Sequence, residues 1–528
     1  MKRLGIFVYF DKDGIVDDYI PYLLNGLKPH IERFIIVING DVNPQGKEKL
    51  LKFAKEEDLI FRENKGFDTW AYKTGMDHAG WDELSKYDET IIFNDTVMGP
   101  VFPFSEMFDE MEKRHPDFWG ITRHYSDPGD PYHCVYGHIP EHIQSYFCAF
   151  GKRMIDAPEF REYWDNLFPI NSYEDAVGKH EIVFTKKFAD MGFTWDTYIN
   201  SEELKALHVQ PIIALADRIL KKERCPIFKK RVFFQDYDWT VKTNVGQIAR
   251  DLYDYVDKET DYPAEYILET LLRSRNLYEL SLNLHWNRVL PEDGISAEPG
   301  RISADTDYVY HTHPFPDIYA MTNPYLRYKE ERCLQGSEVY INNIHELFKK
   351  EKKLGLVTTP MPNHANLLDI PKNSWRDFYG EVKREADRIG LTVPITENEM
   401  PIIVPDLCFY VRKELYPELK EKMDEILNNE GIAKDRRISI LERLIPFLIQ
   451  QKGYYTAQVM PQSFAEIEID NLRFKLSDPY TSGETKYYND QINDLRRQIE
   501  GYENSISWKV TKPLRAVMRF IRKLLHKE

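Results

Sequence analysis

Along the first 200 residues, short runs of β-branched and aromatic residues alternate with stretches whose apolar positions recur every three or four residues. LGIFVYFD, FIIVINGD, LIFREN and TIIFND have the continuous apolar character of strands buried on both faces. Between them, the segment from Val16 to Ile31, the run GKEKLLKFAKEE and a stretch opening near Asp68 read as helices. This alternation predicts an α/β domain over residues 1–240, with a mostly parallel sheet covered on both sides. From 241 to 300 the pattern is helical (QIARDLYDYV, EYILETLLRSRNLYEL) and ends in the linker-like PEDGISAEPGR, which predicts a helical connector. A second α/β domain is expected over 301–480, containing DYVYHTH, EVYINN, KLGLVTT and the helix ISILERLIPFLIQQKGYY. The tail, 481–528, reads as a charged helix followed by a basic amphipathic one.

In a parallel sheet, ligands sit outside the carboxyl ends of the strands. Three of the expected strands end on polar side chains: Asp11, Asp41 and the pair Asn94-Asp95. Gly99-Pro100 then bends the chain away from such a mouth. At Asn64-x-Gly66 a strand turns into the helix that begins near Asp68 and carries Ala71, Lys73 and Gly75. A strand–loop–helix junction offers backbone N–H groups and the positive end of a dipole to an anion such as a diphosphate, and Lys73 would add a cation. The plainer reading is that Asp68 merely caps the helix.

In AVGKHEIVFTKKFADMGF, residues Phe184, Phe188 and Met191 fall on one helical face and Gly192 is a C-terminal stop. Glu181 then lies on the first turn, where a carboxylate can serve as general base or simply favour the dipole. His124, His133, Cys134, His138 and His142 gather in one segment, but Pro140 separates the His138/His142 pair, so a loop is expected rather than a zinc cage. His311 and His313 share a strand face without an evident third ligand.

Composition narrows the class. At 528 residues the chain exceeds one hydrophobic core, and 42% hydrophobic with 13% aromatic content describes a folded protein. A net charge of -16 argues against a general nucleic-acid binder. Five cysteines without a C-x-x-C pair suit free thiols in a reducing cytoplasm. No stretch is long and apolar enough to span a bilayer.

GFDTWAYK, IIFNDTVMGPVFP, HIQSYFCAFGK and KHEIVFTKKFADMGF, in that order, resemble the rhamnan synthesis protein F family. PDLCFYVRKELYPEL, LERLIPFLIQQKGYYT and SISWKVTKPLR extend the likeness over nearly the whole chain. The N-terminal part also resembles the GT-A inverting glycosyltransferases, a Rossmann-like fold. In that class an Asn-x-Gly turn precedes an Ala, a cation and a Gly on the next helix, a strand-terminal D-x-D holds a divalent metal with the donor diphosphate, and an acidic base stands eleven residues before a Gly. Asn64-x-Gly66, Ala71, Lys73 and Gly75 match the first pattern with one extra residue, and Glu181 and Gly192 match the last. Asn94-Asp95-Thr96 stands in the D-x-D place with one carboxylate only.

The resemblance implies inverting transfer of L-rhamnose from dTDP-L-rhamnose to a lipid-linked polysaccharide at the inner membrane face. It implies Glu181 as base, Asp95 on the diphosphate through Mg²⁺ or Mn²⁺, Asp41 on the nucleoside, Lys73 near the phosphates, and Asn64, Asp68 and Asn94 around the donor. Between Ser507 and Glu528, seven Lys and Arg residues face one acid, Glu528, and Val517, Phe520, Ile521, Leu524 and Leu525 recur at helical spacing. That pattern suits peripheral binding to anionic lipid, or docking on a partner. Two alternatives stand beside the rhamnosyl reading: another donor, such as a UDP-hexose, and a non-catalytic sugar-binding scaffold of polysaccharide assembly.

Overall fold

The computed structural model describes residues 1–292, 307–313, 323–361, 375, 377–477 and 483–504. The basic segment Ser507–Glu528 lies outside them. The described chain divides into two compact units, Met1–Trp286 and Asn287–Glu528. The helices that follow residue 240, Ile248–Glu259, Glu265–Ser274 and Leu277–Asn283, belong to the first.

The first unit is a mixed α/β structure on a parallel-rich sheet. Its strands are β1 (Arg3–Tyr9), β2 (Arg33–Asn39), β3 (Leu59–Arg62), β4 (Glu89–Asn94), β6 (Phe118–Gly120), β9 (Phe147–Gly151) and β10 (Trp195–Thr197); four strands of two residues lie outside this sheet, β5 (Val97–Met98), β7 (Arg123–His124), β8 (His142–Ile143) and β11 (Phe228–Lys229). The sheet order is β10-β6-β9-β4-β1-β2-β3. β4, β1, β2 and β3 run parallel, β9 is antiparallel to both β4 and β6, and β10 is parallel to β6.

β1 and β4 are buried along their whole length, which is why they read as unbroken apolar runs. Each fully buried Ile, Val, Leu or Phe in such a strand contributes about 1.5–3 kcal/mol of transfer free energy. The helix Phe67–Ala79 lays Ala71, Tyr72 and Met76 on the same core as Ile6, Val8 and Val37. Gly75 permits that approach, since a Cβ there would come within 2.3 Å of Ile6 Cγ2. At the lower end of the sheet Arg3 and Glu89 form a buried pair, Nε to Oε2 2.6 Å, and the indole N–H of Trp119 donates to Glu89 Oε1 at 2.8 Å.

Three details depart from the expected pattern. The second helix spans only Pro44–Leu50, because the chain must turn back to enter β3 at Leu59. Met191 is 47% exposed, although Phe184 and Phe188 of the same expected face are buried. Glu181 does not open a helix: a turn at Tyr173–Ala176 and a π-helical turn at Val177–Glu181 run straight into the helix Ile182–Asp190.

The second unit carries a five-stranded sheet of β12 (Asn287–Leu290), β13 (Tyr308–His311), β14 (Leu354–Thr358), β15 (Phe409–Arg412) and β16 (Tyr455–Pro461). The order is β12-β16-β14-β15-β13, with β16 parallel to both its neighbours and β15 antiparallel to both of its own. EVYINN opens the helix Glu338–Lys350, where the Ser337 hydroxyl accepts from the Tyr340 N–H at 3.2 Å as N-cap. Among the described residues, no helix is long and apolar enough to cross a membrane.

Candidate active site

A cleft of about 930 Å³ opens in the first unit at the carboxyl ends of β1 and β4. Tyr9, Asp11 and Asp17 border it at and beyond the end of β1, Asn94, Asp95 and Thr96 at the end of β4, Phe67 and Asp68 at the start of the helix that follows β3, and Ser145 and Glu181 opposite. Lys12, Lys229, Lys230, Arg231, Arg273 and Arg275 supply its cations.

The turn after β4 is held from within. The amide of Asn94 donates to Asp68 Oδ2 at 2.6 Å, while its Oδ1 accepts from the Thr96 hydroxyl at 2.6 Å and the Thr96 N–H at 3.2 Å. Thr96 O in turn accepts the backbone N–H of Lys230 at 3.1 Å, extending the antiparallel pairing of β5 with β11. Gly99, with φ near 153°, makes that pairing possible: a Cβ there would stand 2.6 Å from the carbonyl oxygen of Pro226.

The consequence is electrostatic. Lys230 Nζ lies 2.8 Å from Asp95 Oδ2 and 2.5 Å from the Tyr19 hydroxyl, which itself donates to the Asp95 carbonyl at 2.9 Å. Lys229 Nζ donates to Thr96 Oγ1 at 2.9 Å and sits 4.1 Å above the centre of the Tyr146 ring. Burial pulls the Lys229 ammonium down to about 8, against the opposing charges of Glu181 and Asp68. Burial, aided by the nearby charge of Asp95, pushes the Asp68 carboxyl up to about 7.

Glu181 is held differently. Its Oε2 accepts from the Ser145 backbone N–H at 2.9 Å and also from the Ser145 hydroxyl, while Oε1 lies 4.0 Å from His142 Nε2. Burial would raise its pKa, but His142 and the two Ser145 bonds outweigh that and hold the carboxyl below its ordinary value. Burial also lowers His142, whose Nδ1 is 2.7 Å from the Pro140 carbonyl and whose ring stacks on His124 at 5.1 Å. At the β1 side the Arg273 guanidinium joins three carboxylates: Asp11 at 2.6 Å, Asp17 at 2.8 Å and Asp13 at 3.2 Å.

Of the residues singled out in the sequence, Asp11, Asp68, Asn94, Asp95 and Glu181 border this one cleft. Asp41, Asn64 and Lys73 do not. Asp41 and Asn64 are exposed in the loops after β2 and β3, and Lys73 is paired with Asp77 at 2.7 Å, one turn further along its helix. None of the cations on the cleft, Lys12, Lys229, Lys230, Arg231, Arg273 and Arg275, is among the residues that the sequence singles out. The run Lys229-Lys230-Arg231 just beyond the buried Ile227-Phe228 was the available signal.

A divalent ion fits these side chains poorly. Mg²⁺, Mn²⁺ and Ca²⁺ are bound mainly by about six or more oxygens, several of them carboxylate. Here Asp95 Oδ2 accepts from an ammonium, and both polar ends of the Asn94 amide are used by Asp68 and Thr96. Among the described residues no three His, Cys, Asp or Glu side chains gather into a metal-binding group. The Mg²⁺ or Mn²⁺ expected at Asp95 therefore lacks a suitable donor set.

The family model for rhamnan synthesis protein F matches residues 34–320, more than half of the chain, and takes in β4, Asp95, Glu181 and Arg273. The chain belongs to the rhamnan synthesis protein F family. This family member is 25% identical over 160 residues to the uncharacterized protein y4gN of Sinorhizobium fredii (strain NBRC 101917 / NGR234), a match covering 30% of this chain and 39% of that protein. The match thus spans well under half the length of its curated relative. Among solved structures, a core-mannan synthase A from Aspergillus fumigatus in a Mn/GDP form is 9% identical, covering 36% of this chain and 72% of that one, with a TM-score of 0.22. A putative nucleotide-diphospho-sugar transferase from Desulfovibrio desulfuricans G20 is 12% identical, covering 41% and 88%, with a TM-score of 0.21. Scores this low do not tie either protein's chemistry to this chain.

Proposed function

We propose that this rhamnan synthesis protein F family member is an inverting glycosyltransferase of GT-A-like build that uses the cleft at β1 and β4 to move a sugar from a nucleoside diphosphate to a hydroxyl acceptor. The observation that carries the reading is the placement of one ionised carboxylate, Glu181, on the same cleft as the adjacent cations Lys229 and Lys230. Inverting transfer needs both: a base for the acceptor proton, and positive charge for the leaving diphosphate.

In the proposed step the acceptor hydroxyl oxygen attacks the anomeric carbon in line as the bond from that carbon to the phosphate oxygen breaks. The proton passes to Glu181, and the electron pair leaves on the diphosphate, whose added charge Lys229, Lys230 and Arg231 meet. Asp68 and Asn94 fix the turn that presents these cations, which take the place near the phosphates that the sequence suggested for Lys73. The family's rhamnan synthesis supports L-rhamnose as the transferred sugar; the donor would be dTDP-L-rhamnose and the acceptor a lipid-linked rhamnan or cell-wall polysaccharide. The second unit would hold acceptor or polymer. Residues Ser507–Glu528 would keep the protein at the inner face of the membrane through anionic lipid.

The deciding experiment is turnover of a nucleotide-sugar panel by the Glu181→Gln variant. Loss of transfer by about 10²–10⁴-fold with donor binding retained is the expected result. Turnover equal to wild type would remove Glu181 from the mechanism. For the tail, a chain ending near residue 485 should fail to sediment with anionic liposomes, whereas continued sedimentation would show that the tail is not the anchor.

A further inference from the structure

We infer that Lys230 takes the place of a divalent cation in this cleft, so that the donor diphosphate is bound by a lysine ammonium fixed on Asp95 and needs no metal ion. The inference rests on the proposed nucleotide-sugar reading of the site and specifies how the diphosphate is recognised.

Three observations converge on it. The first is position: Lys230 Nζ lies 2.8 Å from Asp95 Oδ2, so it stands against the acidic strand end where a bridging cation would have to bind. The second is the donor set: Asn94 offers an amide in place of a second carboxylate, and that amide is spent on Asp68 and Thr96. The third is backbone attachment. Lys230 does not reach in on a mobile loop; its N–H bonds Thr96 O at 3.1 Å, next to the β5–β11 pairing, so backbone and ammonium are fixed to the same turn.

An ammonium has three donors. Two of those on Lys230 are directed to Asp95 and to the Tyr19 hydroxyl, at 2.8 and 2.5 Å, which orients the third for a ligand in the cleft. One ammonium carries half the charge of a divalent ion, and Lys229, one residue earlier and bordering the same cleft, supplies the remainder. A cation held by the polypeptide also avoids the reluctance of Mg²⁺ to give up its water.

The test is calorimetric titration of the full chain with dTDP, UDP and GDP, in EDTA and again with added Mn²⁺, followed by sugar transfer under both conditions. Binding and transfer that change by less than about threefold between EDTA and Mn²⁺ are expected, a difference well under the ~1.4 kcal/mol of a tenfold change. In EDTA, Lys230→Ala should weaken nucleoside diphosphate binding by at least about tenfold, the loss typical of one charge-assisted contact, and Lys230→Arg should recover part of it. Binding by wild type that depends on Mn²⁺ and collapses in EDTA would overturn the inference while leaving the proposed transferase intact. Failure to bind any of the three diphosphates in either condition would instead overturn the proposed function, and this inference with it. The wild-type comparison requires no variant to fold.

Discussion

Ser145 binds one oxygen of Glu181 twice, through its backbone N–H at 2.9 Å and through its hydroxyl, although 36 residues separate them in the chain. Both bonds favour the charged carboxylate, so Ser145, together with His142, lowers the pH at which Glu181 becomes a base. Ser145→Ala removes the hydroxyl and leaves the N–H. The Glu181 pKa should rise, and the acid limb of the pH–rate profile should move to higher pH with it. Turnover well above that limb should fall less than in Glu181→Gln. An unmoved acid limb would show that another group governs it.

Asp68 and Lys229 make donor binding sensitive to alkaline conditions. As pH rises through about 7 Asp68 gains a negative charge, and through about 8 Lys229 loses a positive one. Both changes oppose an anion, so affinity for a nucleoside diphosphate should fall as pH rises from about 7 to about 9. The fall should be on the order of tenfold, since one charge contact near a protein surface is worth roughly 1–4 kcal/mol. Titration calorimetry at fixed ionic strength across that interval measures it. Lys229→Met should lower the affinity at pH 7 and flatten the alkaline part of the profile.

Arg273 holds Asp11, Asp13 and Asp17 together at one rim of the cleft. Arg273→Leu leaves three neighbouring carboxylates without their common partner. The loop after β1 should open, seen as faster amide hydrogen exchange at residues 11–17, and nucleotide affinity should drop. The depressed Asp11 pKa, which burial opposes and Arg273 lowers, should rise in the variant. Exchange rates equal to wild type would show that backbone bonds such as Gly14 N–H to Asp11 O, 3.2 Å, suffice to fix the loop.

Far from the cleft, Glu89→Ala should be the costliest substitution considered. It removes the buried carboxylate partner of Arg3, whose side chain is 4% exposed, and the acceptor of the Trp119 indole. Arg3 keeps one partner, Glu112 at 2.6 Å, at the margin of the core. Breaking a buried pair from one side costs about 3–5 kcal/mol. Urea unfolding of the full chain, followed by tryptophan fluorescence, should show an earlier first transition, while Lys73→Ala, which removes a surface pair, should leave it nearly unmoved.

The sequence announces β1, β2 and β4 because their two buried faces force continuous apolar runs, and it marks the cleft because Asn94 and Asp95 interrupt such a run at its carboxyl end. Glu181 was legible as a residue but not in its setting: a π-helical turn carries the helix through it, and periodicity taken at 3.6 residues cannot reveal that. The cations were hidden for a different reason. β5 and β11 are two residues each, too short to leave any alternation, and their pairing helps bring Lys229 and Lys230 to Asp95. Arg273 comes from a helix expected to be a connector, and its three aspartates lie some 260 positions earlier. Lys73 has the spacing from the Asn64-x-Gly66 turn that suits a phosphate cation, but the helix directs it to Asp77.

The pairing of Val97–Met98 with Phe228–Lys229 also fixes an order of events during synthesis. Asp95 leaves the ribosome with its strand more than 130 residues before the lysine that neutralises it. Until then a carboxylate destined for the interior has only solvent and salt to screen it. A nascent chain halted before residue 228 would hold every strand of the main sheet and still be unable to close it over that charge.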